Sequence, residues 1–169
     1  MSEKIGETAP LDVNGVGYRG SVACQAAGIS YRQLDYWART GLVAPSIRSA
    51  SGSGSARLYS FRDILVLKVI KRFLSAGVSL QNIRSAVEHL KIRGSEDLSS
   101  ITLMSDGASI YECTNSDEVY DLLQGGQGVF GIAIGRVWNE VEGTLVALSD
   151  ERVPASLDEL SQRRQARMA

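Results

Sequence analysis

Ile29-Ser30-Tyr31-Arg32-Gln33-Leu34-Asp35-Tyr36-Trp37-Ala38-Arg39-Thr40-Gly41-Leu42 decides the fold. Ser30 stands where a hydroxyl can accept from the first free N–H groups of a helix. Gly41 stands where a helix ends. Leu34 and Trp37 lie three apart and share a face that can bury, with Trp37 read as core. Arg32, Asp35 and Arg39 fall largely outside that face. Ser21-Val22-Ala23-Cys24-Gln25-Ala26-Ala27 reads as a second small helix, and Gly28 as the turn between the two. Two short helices joined at a glycine outline a helix-turn-helix, the second helix carrying arginines and aromatics on its polar side.

Beyond Leu42 the helical period stops. Pro45 is followed by Ser49-Ala50-Ser51-Gly52-Ser53-Gly54-Ser55, a tract of flexible composition. Apolar residues resume at Val43 and Ile47 before it, and at Leu58 and Tyr59 after it, so two short strands with a tip between them are expected: a wing. Arg48 and Arg57 flank the tip. Ser60-Phe61-Arg62-Asp63 then starts a capped helix to Ala76, apolar except for one face of Lys68, Lys71, Arg72 and Ser75. Gly77 ends it. Ser79 starts another, with Leu80, Ile83, Val87 and Leu90 at helical spacing.

The pattern changes after Gly94. Ile101 to Met104 and Ala108 to Glu112 flank Asp106-Gly107, a hairpin signal. A short acidic helix follows from Asp117 to Gln124, an apolar strand from Val129 to Ile134, and a helix carrying Val137, Val141, Leu145 and Leu148. The predicted class is α+β: a mostly helical N-terminal winged helix-turn-helix followed by a small β-β-α-β-α domain. The boundaries are an arm over 1–17, the DNA-binding domain over 18–94, a small dimerisation or effector domain over 98–149, and a tail over 150–169, frayed helix or disordered. The second domain is too small to bury much surface alone, so packing on the first half or on a second copy is expected.

Charge divides the same way. Residues 1–94 hold 13 Lys+Arg against 6 Asp+Glu, a balance of +7; residues 95–169 hold 5 against 13, a balance of −8. A basic half beside an acidic half implies that only the first meets a polyanion. No apolar run reaches the roughly 18 residues of a membrane span, and Met1 to Gly17 has no secretory pattern. Cys24 and Cys113 belong to no motif and suit a reducing cytosol. The expected location is therefore cytoplasmic, on the nucleoid when DNA is bound.

Enzymatic readings lack a constellation. His89 is the sole histidine, and no set of nucleophile, base and orienter surrounds it in sequence. Gly126-Gln127-Gly128-Val129-Phe130-Gly131 matches G-x-G-x-x-G, but a helix precedes it and a strand follows, the reverse of a dinucleotide site. No catalytic residue, cofactor or metal is expected. Two binding alternatives stay open. The C-terminal domain could sense a small molecule, with Tyr111, Tyr120, Phe130 and Trp138 lining a pocket or instead forming core and dimer contacts. The chain could also be a protein-interaction adaptor whose helix-turn-helix does not bind DNA.

The ordered set Ile29-Ser30, Arg32, Leu34, Tyr36-Trp37 and Gly41-Leu42, then Arg57-Leu58-Tyr59, Phe61 and Asp63, then Gly77-Val78-Ser79-Leu80 and Ile83, resembles the MerR family of bacterial transcription regulators. The whole chain looks closest to the actinobacterial branch that carries a small C-terminal domain of its own. The resemblance implies a homodimer on an inverted repeat in double-stranded DNA, with RNA polymerase as a further partner. It implies that Arg32 holds a phosphate, that Tyr36 adds a backbone contact, and that Arg57 and Tyr59 grip flanking phosphates at the base of the wing. Arg39 and Arg48 join this DNA-binding set, and Tyr31 and Gln33, near the helix start, are the candidate base readers. Three features depart from the family pattern. Asp35 stands where many members carry arginine, and would repel phosphate unless Arg32 or Arg39 pairs with it. A mixed segment replaces the long dimerisation helix. The C-terminal half has Cys113 alone in place of a metal-binding cysteine cluster.

Overall fold

The computed structural model describes residues 16–48, 57–124, 130–148 and 152–154. The order is β1 (Val16–Arg19), α1 (Gly20–Ala27), α2 (Tyr31–Arg39), β2 (Leu58–Tyr59), α3 (Phe61–Ser75), α4 (Leu80–Lys91), α5 (Ser95–Leu98), β3 (Thr102–Ser105), β4 (Ile110–Cys113), α6 (Ser116–Gln124), β5 (Phe130–Ala133), α7 (Ile134–Ala147) and β6 (Arg152–Pro154). This is the α+β arrangement read from the sequence, with β-β-α-β-α over β3 to α7.

Local chemistry explains the helix-turn-helix. Gly28 has φ +72°, a left-handed conformation that suits glycine, and its N–H donates to the Cys24 carbonyl at 2.9 Å. Ser30 caps α2: the Gln33 N–H donates to Ser30 Oγ at 3.1 Å, and the Ser30 N–H donates back to Gln33 Oε1 at 3.1 Å. Ser60 and Asp63 repeat the device at α3, at 3.0 Å and 2.9 Å. The same Asp63 carboxylate accepts from the Ser46 N–H at 2.8 Å, tying the start of the wing segment to α3.

The first sheet has the order β2-β1-β6, all antiparallel, with Tyr18 opposite Tyr59 and Gly17 opposite Val153. This corrects the reading of an arm ending at residue 17 and of a tail beginning at 150. Val16 and Gly17 belong to the central strand, and residues 152–154 pair with it. Four residues, one of them glycine, carry too little alternation to announce a strand, and their partners lie about 40 and 135 residues away. Pro154 sits on the edge strand, where a missing N–H is tolerated. The second sheet is β4-β3-β5, also antiparallel, with Leu103 opposite both Glu112 and Ile132. Its hairpin turns at Asp106-Gly107, where Asp106 Oδ1 accepts from the Ala108 N–H at 2.9 Å.

One hydrophobic core joins the two halves. Helix α3 buries Phe61, Ile64, Leu65, Val66, Leu67, Val69, Ile70 and Phe73, so it is the central helix. Helix α7 buries Ile134, Val137, Val141 and Leu145 in the same cluster. Phe61 packs on Trp138 with ring centroids 4.6 Å apart, and Phe73 on Phe130 at 5.9 Å. Of the two packings expected for the small C-terminal part, the one on the first half is present.

Candidate nucleic-acid interface

Helix α2 divides as its sequence predicts. Leu34 and Trp37 are buried, while Tyr31 and Tyr36 are 64% and 52% exposed. Arg32 is exposed and has no ion pair among the described residues. Tyr31, Arg32, Tyr36 and Arg39 therefore form a solvent-facing strip of cations and rings on a helix whose opposite side is anchored in the core. Gln33 is half-buried, with its side-chain oxygen engaged by the cap at Ser30. That leaves its amide N–H groups, not the whole carboxamide, for any outside partner.

Asp35 departs from the expected charge pattern in an ordered way. Its Oδ2 lies 3.0 Å from Arg39 Nε one turn along, and its Oδ1 2.8 Å from Arg57 Nη1 beside β2. The Arg57 hydrogen bond, helped by the nearby Arg39 charge, holds the Asp35 carboxyl below the usual aspartate range. The same contact raises Arg57, so both groups stay charged. The sequence suggested Arg32 or Arg39 as the partner. Arg57, 22 residues away, is the one that tertiary folding adds.

Tyr59 is a correction. Expected at the phosphates, it is fully buried, and its hydroxyl has no hydrogen-bond partner among the described residues. Burial pushes its phenol up to about 12. The reason is β2: Tyr59 faces inward opposite Tyr18 in the first sheet. Arg48 forms a bridge with Leu58, its N–H donating at 3.2 Å and its carbonyl accepting at 2.8 Å, which makes the base of the wing two-stranded. The wing tip, 49–56, lies outside the described residues.

The basic face of α3 meets an acid from the C-terminal half. Lys68 Nζ stands 3.3 Å from Glu140 Oε2 on α7, and Arg72 pairs with the same oxygen. These two cations hold Glu140 below the usual glutamate range, Arg72 contributing most. The acidic half thus covers part of the basic half, and Arg32 and Arg39 of α2 stay exposed. Periodicity could show that this face existed but not what docks on it.

Of the four C-terminal aromatics, three have described side chains, and these have separate partners. Phe130 and Trp138 are packed on α3, and Tyr111 hydrogen bonds to Asp106 at 3.0 Å. The side chain of Tyr120 lies outside the described residues, as does most of the Gly126 to Gly131 motif. A groove of about 610 Å³ does lie between α4 and β4, lined by Asn82, Ser85, His89, Tyr111 and Glu112 among others. It is pinned at one end by Asn82 on the Ala108 carbonyl and at the other by Arg93 on Glu112. His89 is exposed on its wall. Cys24 is half-buried and Cys113 buried, and burial raises both thiols away from reactivity. Among the described residues no group of three or more His, Cys, Asp or Glu is placed to hold a metal ion. No described helix is long and apolar enough to cross a membrane.

A helix-turn-helix with a winged base and an outward cationic recognition helix defines a class of DNA-binding regulators. A family profile described as MerR HTH family regulatory protein matches residues 18–90. The chain belongs to that family and is a transcriptional regulator, not an enzyme. It is 61% identical over 158 residues to an HTH-type transcriptional regulator of Mycobacterium tuberculosis, described as uncharacterized, covering 90% of this chain and 70% of the relative. A counterpart in Mycobacterium bovis matches equally. The HTH-type transcriptional regulator HmrR of Sinorhizobium medicae is 30% identical over 83 residues, 48% of this chain and 54% of that protein.

Proposed function

We propose that this regulator binds an inverted-repeat promoter site in double-stranded DNA as a homodimer, each copy laying α2 in a major groove. The observation that carries the reading is the strip of Tyr31, Arg32, Tyr36 and Arg39, exposed on a helix that Leu34 and Trp37 fix in the core. Arg32 supplies a phosphate contact free of internal pairing. Arg57 and Arg48 extend the basic surface toward the flanking backbone, and Tyr31 is the side chain at the helix start with freedom to reach a base edge. A two-fold symmetric site matches a two-fold dimer. The setting is the cytoplasm, with the protein on the nucleoid when bound, and RNA polymerase is the partner through which occupancy of a promoter is read out.

Selection from a random DNA pool, with the mass of the bound species recorded, tests this. Enrichment of an inverted repeat carrying two protein copies is expected. Absence of enrichment removes the reading and favours an adaptor. The small-molecule reading retains one supporting observation, the groove between α4 and β4, which Tyr111 lines while Phe130 and Trp138 pack on α3 instead.

A further inference from the structure

We propose that Asp35 is a specificity-determining positioning residue, which clips the recognition helix to the base of the wing and restrains binding to non-cognate DNA. This rests on the DNA-binding reading of α2. Asp35 lies on the same helix as the exposed cationic strip and is itself about one third exposed, so its charge stands in the field a phosphate would enter. It is shared by two guanidiniums from different elements, Arg39 at 68% and Arg57 at 20% exposure.

Two consequences follow from this geometry. First, the carboxylate offsets cationic charge on the surface facing DNA, and so weakens the sequence-independent attraction that phosphates exert on arginines. Second, each guanidinium has five N–H donors in a rigid plane, and Asp35 engages only some of them. The remaining donors are aimed in a direction set by Asp35, so Arg39 and Arg57 can add a phosphate contact only where the backbone arrives at that place. A mismatched duplex then meets a partly neutralised surface, whereas a well-seated one meets two oriented donors. Arg57 also joins wing base to recognition helix, so their relative placement is set before binding rather than during it.

Asp35→Asn is nearly isosteric and removes the charge. Affinity for a random-sequence duplex should rise about tenfold at roughly 0.1 M salt, and the salt slope should steepen by about one unit, the signature of one added phosphate contact. The motif it selects from a random pool should be less sharp than the wild-type motif. Asp35→Glu keeps the charge and should retain low random-duplex affinity. Unchanged random-duplex affinity and slope in Asp35→Asn would overturn the proposal. So would an equal gain on the selected site and the random duplex, or an Asp35→Glu chain that behaves as Asp35→Asn. If the wild-type chain selects no sequence at all, the dimeric-regulator reading fails instead, and the random-duplex slopes still decide whether Asp35 restrains the arginines.

Discussion

Asp35 Oδ1 on α2 and Arg57 Nη1 at the base of the wing lie 2.8 Å apart, so one carboxylate joins the recognition helix to the wing base. Arg32, on the same helix, shares in no such pairing among the described residues. The arginines of this surface therefore differ in kind. Arg39 and Arg57 are held in place by an acid, and Arg32 is exposed without one.

Replacing Arg32 with Ala should weaken binding to all duplexes by a similar factor and reduce the salt slope by about one unit. Titration by fluorescence anisotropy at several salt concentrations reads both. An unchanged slope would remove Arg32 from the phosphate contacts.

Tyr59→Phe separates the buried reading from the phosphate reading. Its hydroxyl is buried without a partner among the described residues, so deleting it should leave stability unchanged or raised. DNA affinity should stay at the wild-type value. A loss of affinity with an unaltered melting temperature would return Tyr59 to the interface.

Tyr36 and Trp37 are adjacent and should behave oppositely. Trp37→Ala removes a buried ring and should cost about 3–5 kcal/mol in urea unfolding. Tyr36→Ala removes a ring that is 52% exposed, and should change stability by about 0.5 kcal/mol or less while weakening DNA binding. Equal destabilisation by both would contradict the orientation of α2.

Glu140 gives a pH dependence. Its folded-state carboxyl is held below the ordinary value of 4.5 by Arg72 and Lys68. A depressed carboxyl stabilises the fold above its unfolded-state value, and that contribution is lost as pH falls through the folded-state value. The difference in melting temperature between wild type and Glu140→Gln should therefore be largest near neutrality and shrink below about pH 4.5. Glu140 is 43% exposed, so the difference should also shrink in high salt. A difference that is constant from neutral to acid pH would mean that the pair makes no linked contribution.

Much of this was legible in the sequence because it is local. Ser30 with Gln33, and Ser60 with Asp63, announce their helices through bonds spanning three residues. Leu34 and Trp37 announce the buried side of α2 through the helical period, and Asp106-Gly107 announces its hairpin through turn chemistry. The order of motifs from Ile29-Ser30 to Ile83 likewise resembles the family whose profile matches residues 18–90. Tertiary structure decided what depends on partners distant in sequence. Strand β1 exists because β2 and β6 pair with it on either side, and Tyr59 is buried because that pairing faces it inward. The Lys68 and Arg72 face is covered because Glu140 reaches it from α7, and Asp35 meets Arg57 only when β2 returns to α2. Propensities and caps act within a few residues, so they can be read along the chain. The pairing of strands and charges depends on which surfaces the shared core brings together, and no short stretch of sequence carries that information.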